Sequence, residues 1–218
     1  MKKETVLLPG LLAKPELYTL PDWASNQDVF HLPLHDPSAP KTHEEGLEKA
    51  QSLQSYKNVI AHSAGAIYAI KYLQNHDADH IVFIEPAGQP YYSSISDMLG
   101  HWLRRSVSYT SYLKTPDADY TCGQQAAIFG VQTLGKLLLR PKQLRTVMRK
   151  NYSSLFKNIQ QPVHVIWCSN GLYSADYQNT YEEKLLRPKT QHIQHSHGFP
   201  VCATKKEVEN LLPRPHST

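Results

Sequence analysis

Ser63 stands between small residues, at the junction of a predicted strand and a predicted helix. The apolar, β-branched run at 58–61 is typical of a buried strand, and the mostly apolar run at 66–73 is typical of a buried helix. A tight turn between the two holds the serine hydroxyl above the edge of the sheet, at the positive end of the helix. Ala61 and Gly65 supply the small residues that this turn requires, whereas a serine that only caps a helix requires none. The pattern predicts a nucleophilic serine.

Predicted strands and helices alternate on both sides of this turn. The predicted strands cover residues 4–8, 28–32, 58–61, 79–85, 163–167 and 191–195. The predicted helices cover residues 42–55, 66–73, 176–186 and 204–212, and residues 17–24 could form a short helix that is broken by Pro21. Such alternation implies parallel pairing, so the predicted fold class is α/β, with a mostly parallel sheet flanked by helices.

A helical insertion interrupts this alternation. Between residues 88 and 162 the only predicted elements are helices, at 95–113, 123–139 and 141–159. We therefore predict an α/β core formed by residues 1–88 and 162–218, with a helical insertion at 89–161.

The composition is that of a single soluble domain. The chain has 218 residues, of which 40% are hydrophobic and 19% are charged, and this length allows one substantial core. No apolar run reaches the length of a membrane span, and the start of the chain lacks the long apolar centre of a signal peptide, so we expect a cytoplasmic protein. Cys122, Cys168 and Cys202 are odd in number and unrelated in spacing, which predicts reduced thiols and no zinc site.

Three motifs resemble those of the α/β-hydrolase family, and together they extend over nearly the whole chain. The motif LPGL at 8–11 resembles the oxyanion loop that follows an early strand in this family. The motif AHSAG at 61–65 resembles the family's nucleophile elbow, with alanine in place of the first glycine. The motif HSHGFP at 195–200 resembles the late histidine loop before the final helix. The resemblance also implies that the insertion at 89–161 is a lid.

The resemblance implies that a histidine in the late loop takes the proton of Ser63. The usual order in the family is Gly-His-Phe-Pro, whereas this chain has His197 before Gly-Phe-Pro, so the histidine is displaced by one position. We predict His197 as the base, with His195, which lies nearer the strand, as the alternative or as a support of the loop. His192, His195 and His197 could suggest a metal site, but no nearby Cys or Asp completes a set of ligands, so no metal is predicted.

The acid that orients this base is the point at which the chain departs from the family pattern. The family often places an aspartate after the strand that is predicted here at 163–167, but Cys-Ser-Asn-Gly follows that strand. The family's other placement is the end of the preceding strand, where this chain has Glu85, a carboxylate at the tip of an apolar strand that needs a partner. The plain alternative is that Glu85 only bonds loop amides. We favour Glu85 over Asp176, because an acid at position 176 is also typical of the first turn of a helix. Asn170 could orient the imidazole without a charge.

The resemblance assigns the oxyanion hole to the backbone N–H groups of Leu11 and Ala64. These assignments predict a serine hydrolase that cleaves a carboxylic ester through an acyl-enzyme on Ser63 and needs no cofactor. A thioesterase or acyltransferase would use the same residues. The displaced histidine and the missing acid after the strand at 163–167 motivate a further alternative, a binding protein with this fold that has lost catalysis.

The insertion carries most of the positive charge. Residues 98–160 have a net charge of +8, and the rest of the chain has a net charge of −4. The basic side chains that could form a rim over the site are Arg104, Arg105, Arg140, Lys142, Arg145, Arg149 and Lys150. Such a rim would steer an acidic partner, whereas the plain alternative is a solvated helix face. Nucleic acid is not predicted as a partner, because no recognisable binding module accompanies the basic residues.

Small lidded esterases that are similar to this chain include the pimeloyl-acyl carrier protein methyl ester esterases of biotin synthesis. The resemblance therefore implies a small acyl ester substrate, carried on an acidic acyl carrier protein that docks on the basic lid.

Overall fold

A six-stranded, fully parallel sheet forms the centre of the protein. The computed structural model describes residues 2–11, 13–32, 41–90, 96, 120–138, 150–156, 158–171, 173–196 and 198–215. The strands are β1 (Lys3–Leu8), β2 (Gln27–Val29), β3 (Tyr56–His62), β4 (His80–Ile84), β5 (Val163–Asn170) and β6 (Pro188–Ser196). Their order in the sheet is β2-β1-β3-β4-β5-β6, and every neighbouring pair is parallel. The predicted α/β class is confirmed.

The order of the strands creates a switch point between β1 and β3. From β1 the chain crosses to β2 on one side, and from β3 it proceeds to β4, β5 and β6 on the other. In open parallel sheets, ligand sites form where the connections diverge, beyond the carboxyl ends of the strands. The loop after β1 and the turn after β3 meet at this point.

Helices cover both faces of the sheet. The described helices are α1 (His43–Gln51), α2 (Gly65–Tyr72), α3 (Tyr120–Leu138), α4 (Ser153–Phe156), α5 (Ala175–Glu182) and α6 (Lys205–Leu211), with 3₁₀ turns at Pro15–Leu17 and Asp22–Ala24. Side chains alternate between the faces along each strand. Val59 and Ala61 pack in the core cluster that contains residues of α1, α2, α4 and α5, and Ile60 packs in the cluster that contains Val208 of α6.

The segment predicted as a helical insertion, residues 89–161, differs from the prediction in two respects. The helix predicted at 123–139 is present as α3, but Ile128, Val131 and Leu138 of its apolar stripe are exposed. Of the helix predicted at 141–159, residues 141–149 and 157 lie outside the described residues, and only 153–156 are helical. The prediction is wrong at 150–152 and 158–159. At the first of these places the Tyr152 N–H donates to the Gly88 carbonyl at 2.9 Å and connects the chain to the loop after β4. Most of the helix predicted at 95–113 lies outside the described residues. Within the described part of the chain, no helix has the length and apolar character needed to cross a membrane.

A buried histidine connects α1 and α2 to the residue that precedes α4. His43 of α1 is 1% exposed, and its Nδ1 lies 2.8 Å from Tyr68 Oη of α2. Its Nε2 is hydrogen-bonded to Tyr152 Oη, immediately before α4. Burial lowers the pKa of His43 from 6.5 to about 4, so the ring is neutral at pH 7.

Protonation of His43 is expected to make the fold less stable in mild acid. As the pH falls, the unfolded chain takes up this proton near the ordinary pKa of 6.5, whereas the folded protein takes it up only near 4. The neutral His43 ring therefore contributes fully to the free energy of unfolding above pH 6.5. This contribution, of up to about 3 kcal/mol, is lost as the pH falls from 6.5 to 4. Urea unfolding at pH 7.5, 6 and 5 measures it. The His43→Gln variant should lose this part of the pH dependence, and an identical profile in both proteins would contradict the assignment.

Candidate active site

Ser63 occupies a strained turn at the carboxyl end of β3. Its φ is 49°, a left-handed conformation that is costly for a residue with a side chain. Hydrogen bonds hold it there: the Ser63 N–H donates to the Ile84 carbonyl at 2.9 Å, and the Ala87 N–H donates to the Ser63 carbonyl at 3.0 Å. The residue is half-buried, whereas both neighbours are buried. This is the geometry predicted for a nucleophile elbow.

Gly65 is required by the close approach of β1. A Cβ atom at this position would lie 2.0 Å from the carbonyl oxygen of Leu8 and 2.7 Å from that of Pro9. The loop after β1 is therefore pressed against the first turn of α2, and any side chain at position 65 would separate them.

The loop after β1 also lies beside Ser63. A Cβ atom built on Gly10 would lie 2.9 Å from His62 Nδ1 and 3.4 Å from the Cβ of Ser63. Leu11, which follows Gly10, is half-buried, and Ala64 stands at the N-cap position of α2. The N–H groups of Leu11 and Ala64 thus belong to two backbone segments that converge on Ser63. Their role as oxyanion donors stays a prediction.

Glu85 is buried at the end of β4 in a second strained conformation. It is 0% exposed, with φ of 45°, and its Oε1 accepts the Cys168 N–H at 2.6 Å. Gly171 packs directly on the carboxylate, because a Cβ built there would lie 2.3 Å from Oε2 and 2.4 Å from Oε1. The carboxylate thus fills the space that a side chain at position 171 would need, just after β5.

Asp176 and Asn170 have different surroundings. Asp176 is exposed in the first turn of α5, where Ser174 caps the helix by accepting the Tyr177 N–H. This environment is that of an acid at a helix N-terminus, which is the alternative interpretation of Asp176. Asn170 is exposed at the end of β5 and pairs with Ser196 of β6.

Of the two candidate histidines, His195 is the penultimate residue of β6. His195 is buried, with its Nε2 3.9 Å from Glu207 Oε1 of α6 and its ring centroid 4.9 Å from that of Phe199. His195 therefore lies against α6, and its role as a support of the loop stays a prediction. His197 lies outside the described residues, so its role as the base stays a prediction. Its neighbour Ser196 pairs with Asn170, one residue from Gly171.

Comparison with known proteins identifies the fold. No family model matches the chain, and no curated protein matches its sequence. A lipase-esterase related protein from Clostridium acetobutylicum is 11% identical with a TM-score of 0.67, over 95% of this chain and 92% of that one. A carboxylesterase from Nitrososphaera gargenis is 14% identical with a TM-score of 0.62, over 96% and 88%. MGS-MChE2, an α/β-hydrolase enzyme from lagoon sediments of Mar Chica, is 14% identical with a TM-score of 0.58, over 96% and 87%. The chain has the α/β-hydrolase fold. At these identities the similarity concerns the fold and not the activity.

Within this α/β-hydrolase fold, sequence analysis missed Tyr18. Its Oη accepts the Gly10 N–H at 2.6 Å and lies 2.6 Å from His62 Nδ1. The tyrosine stands in an irregular segment after a 3₁₀ turn and belongs to none of the recognised motifs. No sequence signal could have identified it.

The prediction of three reduced thiols is wrong for Cys202, which is disulfide-bonded. Cys168 is the free, buried cysteine of the described residues. Burial and then the negative charge of Glu85 raise the pKa of the Cys168 thiol, which keeps it protonated and unreactive. Cys168 is therefore a poor rival to Ser63 as a nucleophile. No cluster of potential metal ligands is found among the residues that the structure describes.

Gly171→Ala is expected to displace the Glu85 carboxylate, because the new methyl group would overlap both oxygens. We expect a loss of about 1–3 kcal/mol in the free energy of unfolding and, if Glu85 orients the base, a fall in kcat of about tenfold or more. Gly135→Ala is the matched control, since a Cβ at position 135 meets nothing within 4 Å on α3. Thermal unfolding and ester hydrolysis measure both effects. If the two variants have the same stability and the same kcat, the Glu85 carboxylate does not depend on the absence of a side chain at position 171.

Proposed function

We propose that the protein is a serine hydrolase that cleaves a carboxylic ester. The observation that carries this proposal is Ser63, a half-buried serine with a φ of 49° between the oxyanion-type loop after β1 and the first turn of α2. Such strain in a serine, with glycine on the adjacent loop, supports the proposal that the turn presents the hydroxyl.

In the proposed reaction, Ser63 Oγ attacks the acyl carbon while His197 takes its proton. The oxyanion of the tetrahedral intermediate accepts hydrogen bonds from the N–H groups of Leu11 and Ala64. His197 then returns the proton to the leaving alcohol, and the acyl group remains on Ser63. Water gives a proton to His197 and attacks this acyl-enzyme. The bond between the acyl carbon and Ser63 Oγ then breaks, His197 returns the proton to Oγ, and the carboxylic acid leaves.

Glu85 is proposed to orient His197 and to stabilise its charged form. Three observations support Glu85: the side chain is fully buried, its backbone has a φ of 45°, and a glycine directly after the neighbouring strand packs against the carboxylate. One carboxylate oxygen is occupied by the Cys168 N–H, which fixes the group at the carboxyl edge of the sheet. Asp176 has none of these features.

Labelling with a fluorophosphonate tests the proposal. The activated serine displaces fluoride from phosphorus, so the wild-type protein should gain one phosphonyl group on the peptide that contains Ser63. Ser63→Ala should not be labelled. A wild-type protein that folds but resists labelling would instead support the inactive binding protein, and label on another residue would disprove the assignment of the nucleophile.

An acyl carrier protein as the carrier of the substrate is a narrower proposal, supported by the net charge of +8 in residues 98–160. Of the basic rim, Lys150 is described, exposed, and 5.6 Å from the centroid of the Tyr152 ring. If the carrier docks by charge, kcat/KM for a carrier-linked methyl ester should fall steeply between 50 and 300 mM salt, while kcat/KM for a free short-chain ester should change little. Equal salt dependence of the two substrates would remove this proposal.

A cytoplasmic location also stays a prediction. The Cys202 disulfide weighs against it, because disulfides are uncommon in reducing compartments.

A further inference from the structure

Tyr18 connects three parts of the candidate site that come from distant parts of the chain. Gly10 belongs to the loop after β1, His62 precedes the serine of the elbow, and Val201 follows the histidine loop. Tyr18 contacts each of them, through its hydroxyl group or through its backbone.

The hydroxyl group joins the loop after β1 to the elbow. Tyr18 Oη accepts the Gly10 N–H at 2.6 Å and lies 2.6 Å from His62 Nδ1. With Oη as the acceptor for Gly10, its own proton can serve the Nδ1 of a neutral His62. The residues joined in this way stand close to the two proposed oxyanion donors in the chain: Gly10 directly precedes Leu11, and His62 is two residues before Ala64.

The backbone around Tyr18 joins the same assembly to the histidine loop. Tyr18 and Val201 form an antiparallel bridge. The Thr19 N–H donates to the Pro200 carbonyl at 3.2 Å, and the Cys202 N–H donates to the Leu17 carbonyl at 3.0 Å. Residues 200–202, which follow the histidine loop, are therefore hydrogen-bonded to residues 17–19, the segment that carries Tyr18.

We propose that Tyr18 is a positioning residue that sets the geometry of the oxyanion hole by fixing the Gly10–Leu11 loop to the His62–Ser63 elbow. This inference rests on the proposed function, because it assigns Tyr18 a role in stabilising the oxyanion formed at Ser63. An oxyanion hole acts only when both donors are held at the place where the negative charge develops. The hydroxyl bridge fixes the separation of the two backbone segments that carry these donors.

Tyr18→Phe tests the role of the hydroxyl alone. The variant keeps the aromatic ring, whose centroid lies 5.7 Å from that of His62, and keeps the backbone bridge to Val201. It removes the partner of Gly10 N–H and of His62 Nδ1, so the loop can move relative to the elbow. We expect kcat for p-nitrophenyl butyrate to fall about 10- to 100-fold, with KM changed less than about twofold. Rates are expressed per active site titrated with fluorophosphonate.

A transition-state analogue separates positioning from a structural role. A trifluoromethyl ketone adds to a nucleophilic serine and places an oxyanion in the hole, so its inhibition constant should rise in Tyr18→Phe by about the factor lost in kcat/KM. Tyr56→Phe is the matched control, since Tyr56 Oη donates to Asp28 at 2.6 Å near the opposite end of β3. It removes a hydrogen-bonded hydroxyl and should leave kcat and the inhibition constant unchanged.

His62→Leu removes the same bridge from the elbow side and should show the same loss of kcat with little change in KM. If both bridge variants keep kcat and analogue affinity within twofold of the wild type while Ser63→Ala is inactive, the role of Tyr18 is disproved and the proposed function stands. A lower melting temperature with unchanged kcat would likewise reduce Tyr18 to a structural residue. If Ser63→Ala retains activity, the proposed function itself fails.

Discussion

Ser63→Ala is expected to lower kcat for ester hydrolysis by about 10⁴-fold or more, because it removes the atom that forms the acyl-enzyme. The fold should survive the change, since the hydrogen bonds that hold the elbow use the backbone N–H and carbonyl of residue 63. Alanine also lacks the side-chain oxygen but keeps the Cβ, so the φ of 49° remains equally strained. Steady-state hydrolysis of a chromogenic ester, together with circular dichroism, measures both expectations.

Ser55→Ala provides the control for this experiment. Ser55 stands immediately before β3, at the opposite end of the same strand, and its Oγ lies 3.3 Å from His76 Nδ1. Its replacement removes a serine hydroxyl without touching the carboxyl edge of the sheet, so the rate should be unchanged. Full activity in Ser63→Ala would mean that another group carries the reaction. The buried Cys168 is a poor choice for that group, because its raised thiol pKa leaves little thiolate.

The fold was largely predictable because its strands are short apolar runs separated by turn residues. All six strands were predicted, with ends that differ from the structure by a few residues, such as 191–195 against Pro188–Ser196. The capping residue predicted for α1 is also present, since Thr42 accepts the Glu45 N–H at 3.1 Å. Local sequence specifies these features, so periodicity and capping rules identify them without tertiary information.

The structure of residues 89–161 was less predictable, because amphipathic periodicity indicates that a segment is helical but not which surface its apolar face packs against. The stripe on α3 has helical spacing, yet Ile128 and Val131 are 59% and 61% exposed. The end of the insertion follows a long-range contact instead: Tyr152 binds Gly88 and the buried His43, and α4 begins only at Ser153. No local pattern predicts a helix boundary that is set by two distant residues.

The candidate site also contains features that local sequence specifies and features that depend on long-range contacts. The elbow was predictable because its small residues are required by adjacent backbone, and the distances at Gly65 confirm that requirement. The contact between Gly171 and Glu85 was not predictable, because a glycine in Ser-Asn-Gly is typical of any turn. Only the folded chain shows that this glycine leaves space for a carboxylate from the neighbouring strand. Tyr18 is the extreme case, since its partners are 8 and 44 residues away.

Glu85→Gln is expected to lower kcat by about 10²- to 10⁴-fold while leaving the fold intact. The argument follows from the contacts of the carboxylate. Oε1 accepts the Cys168 N–H, so a glutamine must keep its oxygen there and place its NH₂ group where Oε2 stood. A donor in that place cannot accept the imidazole N–H of the base, which is then held in the wrong tautomer. Fluorophosphonate labelling of Ser63 should slow by a similar factor, because the same proton transfer activates the serine.

Asp176→Asn is the matched control, with the same loss of one carboxylate oxygen at the competing position. Asp176 is exposed in the first turn of α5, so its replacement should change kcat less than about twofold and stability by about 0.5 kcal/mol. The opposite result, with full activity in Glu85→Gln and a large loss in Asp176→Asn, would transfer the acid to α5. Full activity in both variants would leave Asn170, a neutral group, as the partner of the base, and the strained, buried Glu85 would then serve only to bind the end of β5.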